Sequence, residues 1–428
     1  MKNTYKVGMI SLGCPKNQVD GELLLEKLSE NGFQIVQRIE DSDLMIVNTC
    51  GFIEDAKREA IETILEVAQY KAAGVISAIV VTGCLAERYQ DQVMEEIPEV
   101  DAVIGIGANA DIVKVCQKAL CGVQTNFFPC KELLPLEGER MLSTPAHWAY
   151  LKISDGCSNC CSYCAIPGIR GPFRSRPMES VVAEAESLAG RGIKELILIA
   201  QDTTLYGKDL YGKYCLAELL RRLVQIDGIR WIRLYYCYPD RITDELIDVI
   251  ANEDKICPYI DIPLQQLISN MRRRIPGLAL RTTFMVGFPG ETQAQFEELC
   301  RFVKEMEFDK MGCFAYSPEE DTPAAEFPNQ VPEEEKTARA DALMDVQFDV
   351  TAAVNQRRVG ETYTAVIDGP DSKENTYAGR CYFDSPEIDS NIWIHSAVPL
   401  ETGSFVQVRV TGTEEYDLLG EYVDEPAQ

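Results

Sequence analysis

Histidine is nearly missing from this chain: only His147 and His395 occur in 428 residues. General acid–base catalysis built on histidine therefore does not fit. Basic residues are also scarce, 41 Lys and Arg against 68 Asp and Glu, which leaves a formal charge of −27. Such a surface repels polyanions, because nucleic-acid binding runs on Lys and Arg neutralising phosphates. The balance points to a protein or small-molecule substrate. Long apolar runs are absent too. The stretch from Ala72 to Ala86 is broken by Gly74, Ser77, Thr82 and Gly83 and falls short of the ~20 residues of a membrane-spanning helix. The N-terminal residues run directly into a strand-like segment, with no basic region followed by an apolar signal core. The expectation is a cytoplasmic protein with no membrane span.

Cysteine, by contrast, is abundant, with sixteen in the chain. In a protein read as having no export signal, that number argues for reduced thiols used in metal or redox work rather than for a disulfide framework. Nine of them, Cys116, Cys121, Cys130, Cys215, Cys237, Cys257, Cys300, Cys313 and Cys381, fall in no ligand pattern and read as packing residues.

A chain this long divides into roughly two to four domains. Residues 1–121 alternate short apolar runs (Val7 to Leu12, Leu44 to Val47, Ala78 to Val81) with amphipathic helical stretches, the pattern of parallel βαβ units. Residues 122–146 lack periodicity and contain Pro129, Pro135 and Pro145, and so read as a linker. Residues 147–355 hold six strand-like runs, most followed by a helical pattern, which predicts a partial (β/α)6 barrel with its working face at the carboxyl ends of the strands. Residues 356–428 change to five short strands, the texture of a small all-β barrel. Three basic and fourteen acidic residues from Val359 onward argue against nucleic-acid binding by it.

Two cysteine constellations stand out. Cys157, Cys161 and Cys164 form C-x3-C-x2-C directly after the first strand of the barrel segment, with Cys160 as a bystander. A compact loop of thiolates suits an iron–sulfur cluster; a zinc loop or surplus buried thiols are the alternatives. Cys14, Cys50 and Cys84 each stand just beyond an apolar run, 36 and 34 residues apart. Parallel strands put their carboxyl ends on one edge, so these three thiols should converge into an iron–sulfur or zinc site. Gly105-Ile-Gly107-Ala-Asn-Ala110 mimics a dinucleotide fingerprint, but it is not at the first βα turn and no acidic residue follows at the required spacing.

With both sets located, the chain resembles the radical S-adenosylmethionine methylthiotransferases over nearly its whole length. The resemblance rests on Gly13-Cys14-Pro15-Lys16-Asn17, Asn48-Thr49-Cys50-Gly51-Phe52, Thr82-Gly83-Cys84-Leu85, Asp155 through Pro167, and Gly287-Phe288-Pro289-Gly290-Glu291. It implies an N-terminal cluster domain, a radical barrel and a C-terminal TRAM barrel. Tyr377-Ala378-Gly379-Arg380 followed by Asp384-Ser385-Pro386-Glu387-Ile388-Asp389 is similar to the RimO-type branch, which modifies an aspartate of small-subunit ribosomal protein S-twelve. The resemblance implies two 4Fe-4S clusters, one on Cys14, Cys50 and Cys84 and one on Cys157, Cys161 and Cys164. S-adenosylmethionine would bind the open iron of the second and yield a 5′-deoxyadenosyl radical. The first would hold the sulfur that a second S-adenosylmethionine methylates. Candidates near the cofactor, at strand ends, are Gln201, Asp202, Arg281 and Gly287. The implied partners are the ribosomal protein, free or in the small subunit, and a low-potential electron donor, with Asp384, Glu387 and Asp389 part of an acidic surface that guides the basic protein.

One departure from the family lies after Gln265, where only fifteen residues, Gln266 to Leu280, precede Arg281. A parallel crossover needs at least ~10–12 residues, so the connection is possible but near its lower limit; against the longer stretch that the family has here, part of one loop and helix is expected to be missing. Two other readings stay open on sequence: a tRNA adenosine methylthiotransferase of the same architecture, and a non-catalytic cluster protein.

Overall fold

The computed structural model describes residues 4–130, 137–261 and 265–423, with the side chains of 265–267 and 269 outside that description. The N-terminal unit is a six-stranded parallel sheet of β1 (Lys6–Ser11), β2 (Gln34–Ile35), β3 (Leu44–Thr49), β4 (Ala78–Gly83), β5 (Ala102–Ile104) and β6 (Thr125–Phe127), in the order β2-β1-β3-β4-β5-β6. Strands β3 and β4 are buried along their whole length, as expected of central strands covered by helices on both faces. The order reverses between β1 and β3, so the crevice for ligands opens there. Strand β6 lies in the segment read as a linker. It pairs with β5 through Thr125, Asn126 and Phe127, so this stretch is an integral edge of the sheet.

The middle unit opens with β7 (Trp148–Lys152). A short antiparallel pair follows, β8 (Ser154–Asp155) with β9 (Arg174–Ser175), then β10 (Glu195–Ile199), β11 (Trp231–Leu234), β12 (Tyr259–Asp261), β13 (Ala279–Val286) and β14 (Lys310–Ala315). Two parallel half-sheets, β7-β10-β11 and β12-β13-β14, meet at the Ile232–Ile256 bridge, giving six strands in sequence order around an open barrel. The crossover between β12 and β13 contains a helix, Gln265–Arg274. The short connection therefore still delivers a parallel strand, and the helix expected to be curtailed is present over ten residues; the side chains of Gln265 and Gln266 lie outside the described residues.

Strand alternation sorts the barrel side chains. Ala149, Leu151, Leu196, Leu198 and Leu234 join the helices in one core. Trp148, Tyr150, Ile197, Ile199, Tyr235 and Tyr259 face the concave side, where they join the core of the third unit. That unit is a closed barrel of β15 (Thr362–Pro370), β16 (Thr376–Cys381), β17 (Ile392–His395), β18 (Phe405–Glu414) and β19 (Asp417–Val423).

The loop after β16 enters the concave face of the radical barrel. Tyr235 Oη pairs with Ser385 Oγ, Tyr150 Oη donates to Glu387 (3.2 Å) and Tyr259 Oη to Asp389 (3.2 Å). Asp384 is buried, holding Lys310 at 2.9 Å and accepting from the Cys381 amide. Two of the three carboxylates read as a guiding surface are therefore internal. Charge counts along a chain carry no information on burial, and here tertiary packing turns those acids inward. The glutamates left exposed on this unit include Glu374, Glu401, Glu414, Glu415 and Glu421.

The free cysteines divide similarly. Cys116, Cys215, Cys237, Cys257 and Cys381 are buried, Cys300 and Cys313 are half-buried, and Cys121 and Cys130 are exposed, so the packing role does not extend to the last two.

Removing Asp384 would strand the buried Lys310 ammonium. Asp384→Ala is expected to cost about 3 kcal/mol, read as a lowered denaturant midpoint, whereas Glu374→Ala on the surface should stay within ~0.5 kcal/mol. Burial raises Asp261 to about 6, with Arg281 pulling it down and Asp389 pushing it up. A carboxyl raised on folding destabilises the protein above its folded pKa, and that penalty disappears as pH falls through about 6 towards its ordinary 3.8. Asp261→Asn should therefore raise stability at pH 7–8 by about 3 kcal/mol and lose its advantage near pH 4. A difference between wild type and variant that does not change with pH would contradict this.

Candidate cluster-binding site

Cys14, Cys50 and Cys84 follow β1, β3 and β4, three adjacent strands of one parallel sheet. Gly13 makes their approach possible: its φ is +88°, and a Cβ there would lie 2.8 Å from Cys50 Sγ. Cys14 caps the helix Pro15–Glu30, started by proline at its first position, and Cys84 opens the helix Cys84–Tyr89. Both thiols thus sit at the positive ends of helices. Burial raises the Cys14 thiol, but the Lys16 and Arg170 cations and the amides of Asn17 and Lys16 outweigh it, leaving Cys14 below the ordinary thiol value. Burial pushes Cys84 up to about 12, and it raises Cys50 as well. Among the described residues, no Cys, His, Asp or Glu trio is drawn together around one ion position.

Cys157, Cys161 and Cys164 lie in the loop enclosed by the β8–β9 pair. The Asn159 amide donates to Cys157 Sγ (3.5 Å) and the Cys157 amide to Gly171 O (3.1 Å). Tyr238 Oη stands 3.3 Å from Cys161 Sγ. Arg241 clamps the loop, donating to Asn159 Oδ1 (2.7 Å) and pairing with Asp202. Cys160 is exposed. All six thiols are soft donors with no carboxylate among them, which fits iron–sulfur clusters.

The other candidates take distinct places. Gln201 donates to Asp155 Oδ1 at 3.5 Å, two residues before Cys157, and its Oε1 is buried with no hydrogen-bond partner. Asp202 is fully buried, accepts from Thr204 and the Leu205 amide, and pairs with Arg241; it shapes the turn. Arg281 lies between Asp261 (3.6 Å) and Asp389 (3.4 Å). It lines a cavity of about 280 Å³ with Tyr235, Tyr236, Thr283 and Ser385. Gly287 has φ +72° and packs against Lys336, so it is placed as a turn glycine. The dinucleotide-like segment is filled from within, since Glu87 accepts from the Ile106 amide at 2.9 Å and occupies the space a phosphate would need.

The two trios are bound together by groups that sequence spacing did not reveal. Arg170, at the end of the helix Ile166–Arg170, donates to both oxygens of Asp155 (3.1 Å each) and to Asn17 Oδ1 (3.4 Å), and pairs with Asp20 (3.1 Å). Lys152 pairs with Asp20 and Asp155. Lys16 crosses the other way, 3.4 Å from the centre of the Tyr236 ring. A clasp closes the far side, where the buried Glu319 holds Lys57 (3.2 Å) and Arg88 (3.1 Å).

Comparison with known proteins gives these sites a context. Residues 6–105 match an uncharacterized protein family, UPF0004, residues 151–278 the Radical SAM superfamily, and residues 359–423 the TRAM domain. The chain is 47% identical to "Ribosomal protein uS12 methylthiotransferase RimO" of Desulforamulus reducens, covering 97% of this chain and 99% of that one. It is 44% identical to the protein of that name from Clostridioides difficile, over 99% and 100%. A solved structure of the radical S-adenosylmethionine methyltransferase TsrM from Kitasatospora setae, with cobalamin and a [4Fe-4S] cluster bound, shares the fold at a TM-score of 0.54 and 15% identity, covering 75% of this chain and 74% of that one. No helix among the described residues is long and apolar enough to cross a membrane. Matched along its whole length, the chain belongs to the RimO family of uS12 methylthiotransferases, radical S-adenosylmethionine enzymes that carry 4Fe-4S clusters.

Proposed function

We propose that this chain adds a methylthio group to the β-carbon of an aspartate in ribosomal protein uS12. In this reading Cys14, Cys50 and Cys84 hold one 4Fe-4S cluster, and Cys157, Cys161 and Cys164 hold a second that binds S-adenosylmethionine. The observation that supports it is the buried Arg170, which pairs with Asp20 on the helix after Cys14 and with Asp155 two residues before Cys157, and so links the strand ends that carry the two thiol trios. Bound there, the cofactors supply radical chemistry able to take hydrogen from an unactivated carbon, which ionisable side chains cannot do. Donors such as the Asn159 amide and Tyr238 Oη orient the thiols of the second loop and bear on its electronics. Gln201 offers its free acceptor, and Arg281 its guanidinium, to S-adenosylmethionine or substrate. A low-potential electron donor completes the reaction, and residues 1–121, 147–355 and 356–428 divide the work as cluster domain, radical core and TRAM domain.

The acidic TRAM unit favours a basic protein over tRNA. Against a non-catalytic reading stands the helix Gln265–Arg274, which keeps the six-strand barrel continuous.

Replacing either trio with alanine should leave about half of the wild-type iron, because the thiolates form two separate sites. The Cys157/Cys161/Cys164 variant alone should lose S-adenosylmethionine cleavage. After anaerobic reconstitution with S-adenosylmethionine and reductant, mass spectrometry should find a methylthio group on a uS12 aspartyl peptide. Modification of tRNA with uS12 untouched would overturn the substrate assignment. Glu414→Gln/Glu415→Gln/Glu421→Gln should weaken uS12 binding at low salt and flatten its salt dependence, screening acting over ~8 Å at physiological ionic strength.

A further inference from the structure

Among buried charged groups, Arg170 is the one whose surroundings exceed what fold stability asks for. It is 2% exposed and comes from the barrel unit, six residues after Cys164, yet it reaches into the N-terminal unit. Its helix packs on the helix that begins at Cys84. Asn17, which accepts from Arg170 Nη2, sits one turn after Cys14, with its amide bonded to the Cys14 carbonyl at 2.9 Å. The guanidinium is thus fixed between Asp155, two residues before Cys157, and the first trio.

A charge taken this deep must be compensated. Asp20 and Asp155 against Lys152 and Arg170 make a network that is neutral as a whole. Both terminal nitrogens of Arg170 are engaged, Nη1 by Asp155 and Nη2 by Asp20 and by Asn17 Oδ1, three residues after Cys14. The Arg170 charge acts on each of Cys14, Cys50 and Cys84, favouring their thiolate forms. A neutral brace between the domains would not have needed a planar five-donor cation.

We propose that Arg170 is a positioning residue lent by the radical barrel to the first cluster, where its charge raises that cluster's reduction potential and orients the cluster towards the second site. This rests on the assignment of Cys14, Cys50 and Cys84 as cluster ligands. A cluster bound by three thiolates becomes more negative on reduction, and a fixed cation in a low-dielectric interior favours that form. Because the cation follows Cys164 in sequence, the two cluster sites share one element, and displacement of the cysteine loop of the barrel reaches the first cluster through it.

The test uses the full chain carrying Cys157→Ala/Cys161→Ala/Cys164→Ala, so that only the first cluster remains. Its midpoint potential and reduced-state EPR spectrum are compared with those after adding Arg170→Gln/Asp20→Asn, which removes one charge of each sign, and after adding Arg170→Lys. The expected result is a lower potential and altered g-values for the Gln/Asn variant at unchanged iron, with recovery towards the parent in the Lys variant. Unchanged potential and spectrum in the Gln/Asn variant, with iron retained, would overturn the inference and leave Arg170 a brace. If the Gln/Asn variant loses iron, the Lys variant decides: iron retained near the parent potential supports the charge role, and iron lost despite the charge refutes it. A parent chain that holds no iron would overturn the cluster assignment itself, and the inference with it.

Discussion

Four buried charges hold this molecule in the arrangement its chemistry requires. Asp20 from the N-terminal helix and Lys152, Asp155 and Arg170 from the barrel are each 7% exposed or less at the side chain. Buried ion pairs contribute little net stability, because desolvation consumes most of the Coulombic gain. What such a network supplies here is registry. Any slippage of one unit against the other would leave an uncompensated charge in the interior, so two separately folded strand edges are held to one relative position. The two thiol trios inherit that precision from the network.

The third unit is an equal part of the same construction. Its loop around Ser385 closes the concave face of the open barrel with tyrosine hydroxyls from three barrel strands or their ends, Tyr150, Tyr235 and Tyr259. An open barrel of six strands leaves an apolar inner wall, and Trp148, Tyr150 and Tyr259 bury that wall against Ile367 and Phe383. A second polar chain, His147 to Asp368 to Arg380 to Glu195 to Arg233, runs through the same interface. The TRAM unit therefore closes this face of the barrel and leaves its exposed glutamates on the outside.

The legible parts of this structure were those governed by local spacing. Cys14, Cys50 and Cys84 could be grouped because strand ends share an edge, and Cys157, Cys161 and Cys164 because a short loop keeps them together. The six barrel strands were readable from their apolar runs. Strands β2, β5 and β6, two or three residues each, are too short to carry a pattern. Arg170, Tyr238 and Arg241 were missed, since their roles arise from tertiary contacts; the one signal available was the position of Arg170 shortly after the second trio. Asp384 and Asp389 were read as surface charge because a motif shows which residues occur together and not which way they face.

The proposed function requires the two cluster sites, joined through Arg170, to lie close to one another. That proximity is tested most directly by EPR on the reconstituted, fully reduced wild-type chain, compared with the two single-trio variants. The account predicts spin–spin interaction in the wild-type spectrum that neither variant shows. A wild-type spectrum equal to the sum of the two variants, at full iron occupancy, would contradict it.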